Sequence, residues 1–101
     1  MSTARLESVG DGKFRIAGRL DYDTVKQLLD HDDNLFAHAL PQVTVDLGGI
    51  ERTTSVGLEL MLEWLRQAHS NHKSIHFINV PQQIQDMAKI SQLETILHLS
   101  V

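Results

Sequence analysis

The hydrophobic positions change period along the chain, from two near the N-terminus to three or four soon after. From Arg5 to Val9 apolar and polar residues alternate, Gly10-Asp11-Gly12 interrupts them, and Phe14, Ile16 and Leu20 recur at even spacing through Gly18. Alternation on both sides of a glycine-rich turn predicts a two-stranded hairpin. Leu20-Asp21-Tyr22-Asp23 supplies a helix cap, after which Val25, Leu28, Leu29 and Phe36 fall at helical spacing until Pro41 ends the run. Val43, Val45 and Leu47 alternate before Gly48-Gly49, which predicts a short central strand and then a loop of about six residues. A second helix is expected from Ser55 to about Asn71. Ile75, Phe77 and Ile78 form a further strand, and Pro81 opens a third helix at its first position, with Ile84, Met87, Ala88 and Leu93 on its apolar side. The apolar tail, Leu93 to Val101, is expected to pack as a short extra helix or strand.

Single helices between successive strands imply parallel crossovers. The expected fold is therefore α/β, a mixed sheet of about four strands with about three to four helices packed on it. No long linker, internal repeat or low-complexity stretch divides the chain, so residues 1–101 form one domain. That length supports a single core, able to bury roughly two thirds of the surface of the unfolded chain.

Composition narrows the function. A net charge of -4, from 9 basic and 13 acidic residues, disfavours a phosphate-backbone binder, so nucleic acid is not an expected partner. No apolar run approaches the roughly 20 residues of a membrane-spanning helix, so direct membrane insertion is not expected. Met1 to Leu6 does not read as a secretory signal, which gives a cytoplasmic expectation. Without cysteine there is no disulfide framework and no thiol nucleophile. His69, His72 and His76 lie near one another in sequence, but no carboxylate is spaced to complete a metal site, and Asp30, Asp32 and Asp33 lack the spacing of a calcium loop. Gly48-Gly49 belongs to neither phosphate-binding glycine pattern, and Ser55 sits in no G-x-S-x-G element. The expectation is a non-enzymatic domain with no metal and no cofactor.

The run from Val45 to Leu62 resembles the signature of the STAS domain, found in anti-anti-sigma factors and sulfate transporters. In that family a strand ending in a D-L pair is followed by a loop and a D-[ST]-x-G-L-x-x-L segment that starts the central helix. Asp46-Leu47 matches the first part, and Ser55, Gly57, Leu58 and Met61 match the second, with Ser55 at the hydroxyl position that many members phosphorylate. Gly18-Arg19-Leu20-Asp21 is similar to the G-x-L-[DT] element before the first helix. Thr54 stands where the acidic residue usually precedes the hydroxyl. That departure and the short chain look most like the MlaB-type subunit of the bacterial Mla phospholipid-transport ATPase complex.

The same segment has a physical logic of its own. A hydroxyl at a helix start accepts from the free N–H groups of the first turn, and the helix dipole makes the place mildly positive. Ser55 is thus either a plain cap or a switch, where a phosphate would add about 1.5 to 2 negative charges. Along the second helix, Leu58, Met61, Leu62 and Leu65 gather as one apolar face, while Val56, Leu60 and Trp64 form a separate line flanked by Glu59 and Glu63. That second line is expected to stay exposed as a docking surface unless neighbouring helices cover it. The expected partner-binding set is Thr53, Thr54, Ser55, Val56, Leu60 and Trp64. The resemblance implies one of two protein partners: a transport ATPase subunit, which would hold the domain at the inner face of the membrane, or an anti-sigma kinase, with release by phosphorylation at Ser55.

Overall fold

The computed structural model describes residues 3–31, 35–37 and 40–97. There the chain runs β1 (Ala4–Gly10), β2 (Lys13–Leu20), α1 (Tyr22–His31), β3 (Gln42–Thr53), α2 (Val56–Ser70), β4 (Ser74–Ile78) and α3 (Gln82–Ile90). The four strands form one sheet in the order β1-β2-β3-β4. β1 and β2 pair antiparallel, as the glycine-rich turn between them requires, and β2-β3 and β3-β4 pair parallel, as their helical crossovers require. The expected mixed α/β sheet is the observed one.

The period-two pattern decides which face of the sheet is covered. Phe14 and Ile16 on β2, Val43, Val45 and Leu47 on β3, and Ile75 and Phe77 on β4 are all buried. Register puts Phe14 beside Val45 and Val45 beside Phe77, so these side chains share one face. The other face carries Arg15, Asp46 and His76, polar residues left to solvent or half-covered. Leu28 of α1, Met61 and Trp64 of α2, and Ile84 and Ala88 of α3 close the core from the apolar side.

β3 is longer than the alternation implied. Gly48 to Thr53, expected as a loop, continues the strand and pairs with Ala17 to Leu20 of β2. The register shifts between Arg15 and Ala17 and again between Gly18 and Arg19. These bulges break the alternation on which the sequence reading relied. Gly49 is needed at the first of them: a Cβ there would lie 2.6 Å from the Ile16 carbonyl oxygen.

The entry to α1 follows its signal closely. The Asp21 N–H donates to Thr24 Oγ1 at 2.9 Å, and the Thr24 N–H donates to Asp21 Oδ1 at 3.0 Å, a reciprocal cap. Helix α1 ends at His31 among the described residues, and Phe36, placed on this helix by its spacing, lies in a turn beside the fully buried Leu35. Pro81 (φ -55, ψ 143) is extended and precedes α3 rather than opening it. Of the tail, residues 94–97 form turns that bury Leu97, and 98–101 lie outside the described residues.

Candidate functional site

Thr53, Thr54 and Ser55 link the end of β3 to the start of α2. Ser55 already has helical backbone angles, φ -59 and ψ -20. A capping side chain works from an extended residue, so the Ser55 hydroxyl is badly placed for that role and makes no cap bond. Thr54 takes part of it: the Val56 N–H donates to Thr54 Oγ1 at 3.3 Å, and the Gly57 N–H donates to the Thr54 carbonyl at 3.0 Å. Ser55 is left exposed at the corner, uncommitted to the helix it begins.

Thr53 belongs to the inside of this turn, not to its outer surface. It is buried, and its hydroxyl donates to the Thr54 carbonyl at 2.8 Å. A Cβ at Gly57 would collide with Thr53 Oγ1 and would lie 3.2 Å from Ile84 Cδ1. The motif glycine therefore lets the first turn of α2 settle onto β3 and α3 at once. Its motif companion Asp46 is also structural. Its carboxylate accepts from the Gly48 N–H at 2.7 Å and from Asn79 Nδ2 at 3.0 Å, tying β3 to the turn after β4. Those bonds, the backbone one foremost, hold the Asp46 carboxyl below its ordinary pKa, with Arg15 adding a smaller pull.

Two residues of the expected docking line do not reach the surface. Leu60 is 1% exposed and Trp64 0%, and both belong to the core cluster with Leu58, Met61 and Ala68. The reading of an exposed Val56-Leu60-Trp64 line is corrected accordingly. Its assumption was that a helix on a sheet buries one stripe only. Here α2 packs against β4, α1 and α3, so its covered arc is wide and includes both lines. Leu62 and Leu65, assigned to the core, are the ones left half-exposed. Val56 is half-buried at the edge.

A groove of about 380 Å³ remains between α1 and α2. Val25, Leu29 and Leu60 contribute to its apolar lining, and Tyr22, itself 71% exposed, stands beside them. Val56 joins the groove to the Ser55 corner. Asp30, Glu59 and Glu63 give it a mainly acidic rim, opposed by Lys26, which pairs with Asp30 at 3.2 Å. Helical spacing alone could not have revealed this groove, because its second wall comes from another helix. Among the described residues no three groups of metal-ligating type come together, and no helix is long and apolar enough to cross a membrane.

The family model described as "Mlab, STAS domain" matches residues 5–99, almost the whole chain. The chain belongs to the STAS-domain family. No curated protein matches its sequence. Among solved structures, the unphosphorylated anti-sigma factor antagonist SpoIIAA superimposes with a TM-score of 0.70 at 19% identity, covering 91% of this chain and 83% of that one. SpoIIAA of Bacillus in its phosphorylated form gives 0.65 at 20% identity, with 91% and 86% covered. An anti-sigma factor antagonist from Mycobacterium paratuberculosis gives 0.68 at 18% identity, with 95% and 82% covered. At such identities the likeness is one of fold. STAS is a protein-interaction fold, and in this STAS domain the exposed Ser55 directly precedes Val56, which lines an apolar groove.

Proposed function

We propose that this STAS domain is a non-enzymatic subunit that binds and supports the ATPase of an Mla-type phospholipid transporter. Its contacts would come from Thr54, Ser55 and Val56 together with the α1/α2 groove. The observation that carries the reading is the exposed Ser55 hydroxyl, unused by its own helix and continuous through Val56 with an apolar groove. An acidic rim favours a partner helix with basic flanks. The family model carries the Mlab description, and Thr54 replaces the acid that precedes the hydroxyl in phosphorylated members, which supports the transporter reading. A domain held on such an ATPase would sit at the inner face of the membrane without entering it.

The alternative is an anti-anti-sigma factor whose kinase modifies Ser55. The structural likeness to SpoIIAA, solved both with and without phosphate, keeps this reading in view. Ser55→Asp tests the corner itself. Asp caps helices about as well as Ser, so the fold and Tm are expected to stay within about 0.5 kcal/mol of the parent. Affinity for the co-purifying ATPase is expected to fall at least tenfold, measured by titration of purified components. A folded variant that binds unchanged excludes Ser55 from the interface. Recovery of a kinase in place of an ATPase, with phosphate on Ser55, selects the anti-anti-sigma reading.

A further inference from the structure

Two arginines meet near the C-terminal ends of β2 and β3. The parallel register sets Gly18 beside Ile50 and then Arg19 beside Arg52, so the ladder steps over Glu51. Without that shift Arg19 would stand beside Glu51. Strand neighbours of opposite charge attract and those of like charge repel, so the shift exchanges a favourable pair for an unfavourable one. Bulges often re-aim a side chain beside a functional site. Here the displaced Glu51 lines a separate cavity with Gly18.

The backbone around the pair is fixed on every side. The Arg19 N–H donates to the Thr3 carbonyl at 2.8 Å, the Arg19 carbonyl accepts from Thr24 Oγ1 at 2.8 Å, and just beyond, the Thr54 N–H donates to the Leu20 carbonyl at 3.1 Å. The side chains are uncommitted. Arg19 and Arg52 are both exposed, and among the described residues neither guanidinium makes a hydrogen bond or an ion pair.

Both arginines line an open pocket of about 400 Å³ that reaches Thr53 and Thr54, the threonines of the β3–α2 corner, and Gln83 of α3. Asp21 also lines it, with Oδ1 accepting from the Thr24 N–H at 3.0 Å. Two guanidinium charges against that one carboxylate leave a single positive charge on the lining. A monoanion balances it, whereas a phosphate dianion would exceed it and meet Asp21 with twice the repulsion. The planar fork of a guanidinium also pairs with a carboxylate through two parallel hydrogen bonds.

We propose that Arg19 and Arg52 hold an Asp or Glu carboxylate of the protein partner that docks on the Thr54–Ser55 corner. The inference rests on the reading of that corner as a partner surface and adds the charge that the partner must bring to it. The incoming carboxylate supplies the counter-charge that the register shift takes from the pair. Beyond Val56 the rim of the α1/α2 groove is mainly acidic, so the surface has one positive end and one negative end. Such a pattern fixes the direction in which a partner lies.

The test has two arms. In the first, the whole chain, isotope-labelled, is titrated by NMR at constant ionic strength with three probes: glutamate blocked at both ends, glutamine blocked in the same way, and inorganic phosphate. The glutamate probe is expected to shift the Arg19 and Arg52 Nε–H signals saturably, with a Kd on the order of 10 mM. The glutamine probe is expected to leave them in place. In Arg19→Gln/Arg52→Gln the response of Thr54 to glutamate is expected to vanish, while the Tm is no lower than the parent's because the repulsion is gone. In the second arm, the double variant is expected to bind the co-purifying ATPase about tenfold more weakly than the parent does, with a flatter dependence on ionic strength. Should its Tm show that it does not fold, Arg52→Gln alone is expected to weaken binding severalfold. The proposal is overturned by any of three results: equal action of the glutamate and glutamine probes, tighter binding of phosphate than of glutamate, or an ATPase that binds parent and folded variant equally. An ATPase that does not bind the parent, beside intact glutamate shifts in the pocket, overturns the transporter reading and retains the carboxylate site.

Discussion

Helix α2 separates two surfaces of opposite character. On one flank, the groove with α1 is apolar at its floor and mainly acidic at its rim, and Val56, the residue after Ser55, lines it. On the other, the cleft with β4 is lined by Leu62, Leu65, Arg66, His69, Lys73 and His76 and borders the last strand of the sheet. One helix carries both signs because Glu63 faces the first and Arg66 the second, three residues later. Their hydrogen-bonded pair runs over the exposed back of the helix. A small domain can thus expose two chemically distinct flanks of one helix without a second domain, provided that the side of the helix facing the sheet stays fully committed to the core.

That proviso gives the largest expected effect. Trp64→Ala empties the centre of the buried side and is expected to cost about 3 to 5 kcal/mol of folding stability, seen as an early unfolding transition in calorimetry or denaturant titration. Both flanks should fail together. A variant that remains stable and loses only partner binding would restore Trp64 to the surface and break the division of α2 described here.

Gly57→Ala acts at one end only. Its new methyl meets Thr53 Oγ1 and Ile84 Cδ1, and overpacking of this kind typically costs about 1 to 3 kcal/mol. Amide shifts are expected around Ser55 and Thr53, with little change at Ile75 and Phe77 in β4. Equal disturbance at both places would mean that the two surfaces are coupled through the helix.

The smallest effect concerns the pair that joins the flanks. The hydrogen bond from Arg66 holds the Glu63 carboxyl below its ordinary pKa, so ionised Glu63 favours the folded state. Its contribution is present above the ordinary carboxylate range and is lost as pH falls through the lowered folded value. The Tm difference between the parent and Arg66→Gln is therefore expected to be small at pH 7, smaller in high salt, and to shrink as pH falls below the ordinary carboxylate range. A difference that does not shrink with acidification would assign the role of Arg66 to packing.

The fold was legible where side chains obey a single period. Phe14, Val43, Val45 and Phe77 carry the sheet's inner face in their spacing alone, and Asp21 with Thr24 announces α1. The bulges of β3 were not legible. Gly48-Gly49 looks like a stop in one dimension and becomes a close approach to Ile16 and Ala17 only when β2 lies alongside. At the site, the Ser55 corner followed from its motif. Which line of α2 faces out did not follow, because that depends on how far α1 and α3 close around it. Thr53 was misplaced for a similar reason: it adjoins the motif in sequence, yet the chain turns its side chain inward to meet Gly57.

Trp64, the only tryptophan of the chain, is completely buried, and its indole Nε1 has no hydrogen-bond partner among the described residues. An indole without water or a polar neighbour emits toward the blue, and exposure moves the emission to the red. The intrinsic fluorescence of this protein is accordingly a single-site gauge of core integrity. Ligands arriving at either flank of α2 should leave the colour unchanged, whereas any opening between α2 and the sheet should alter it at once.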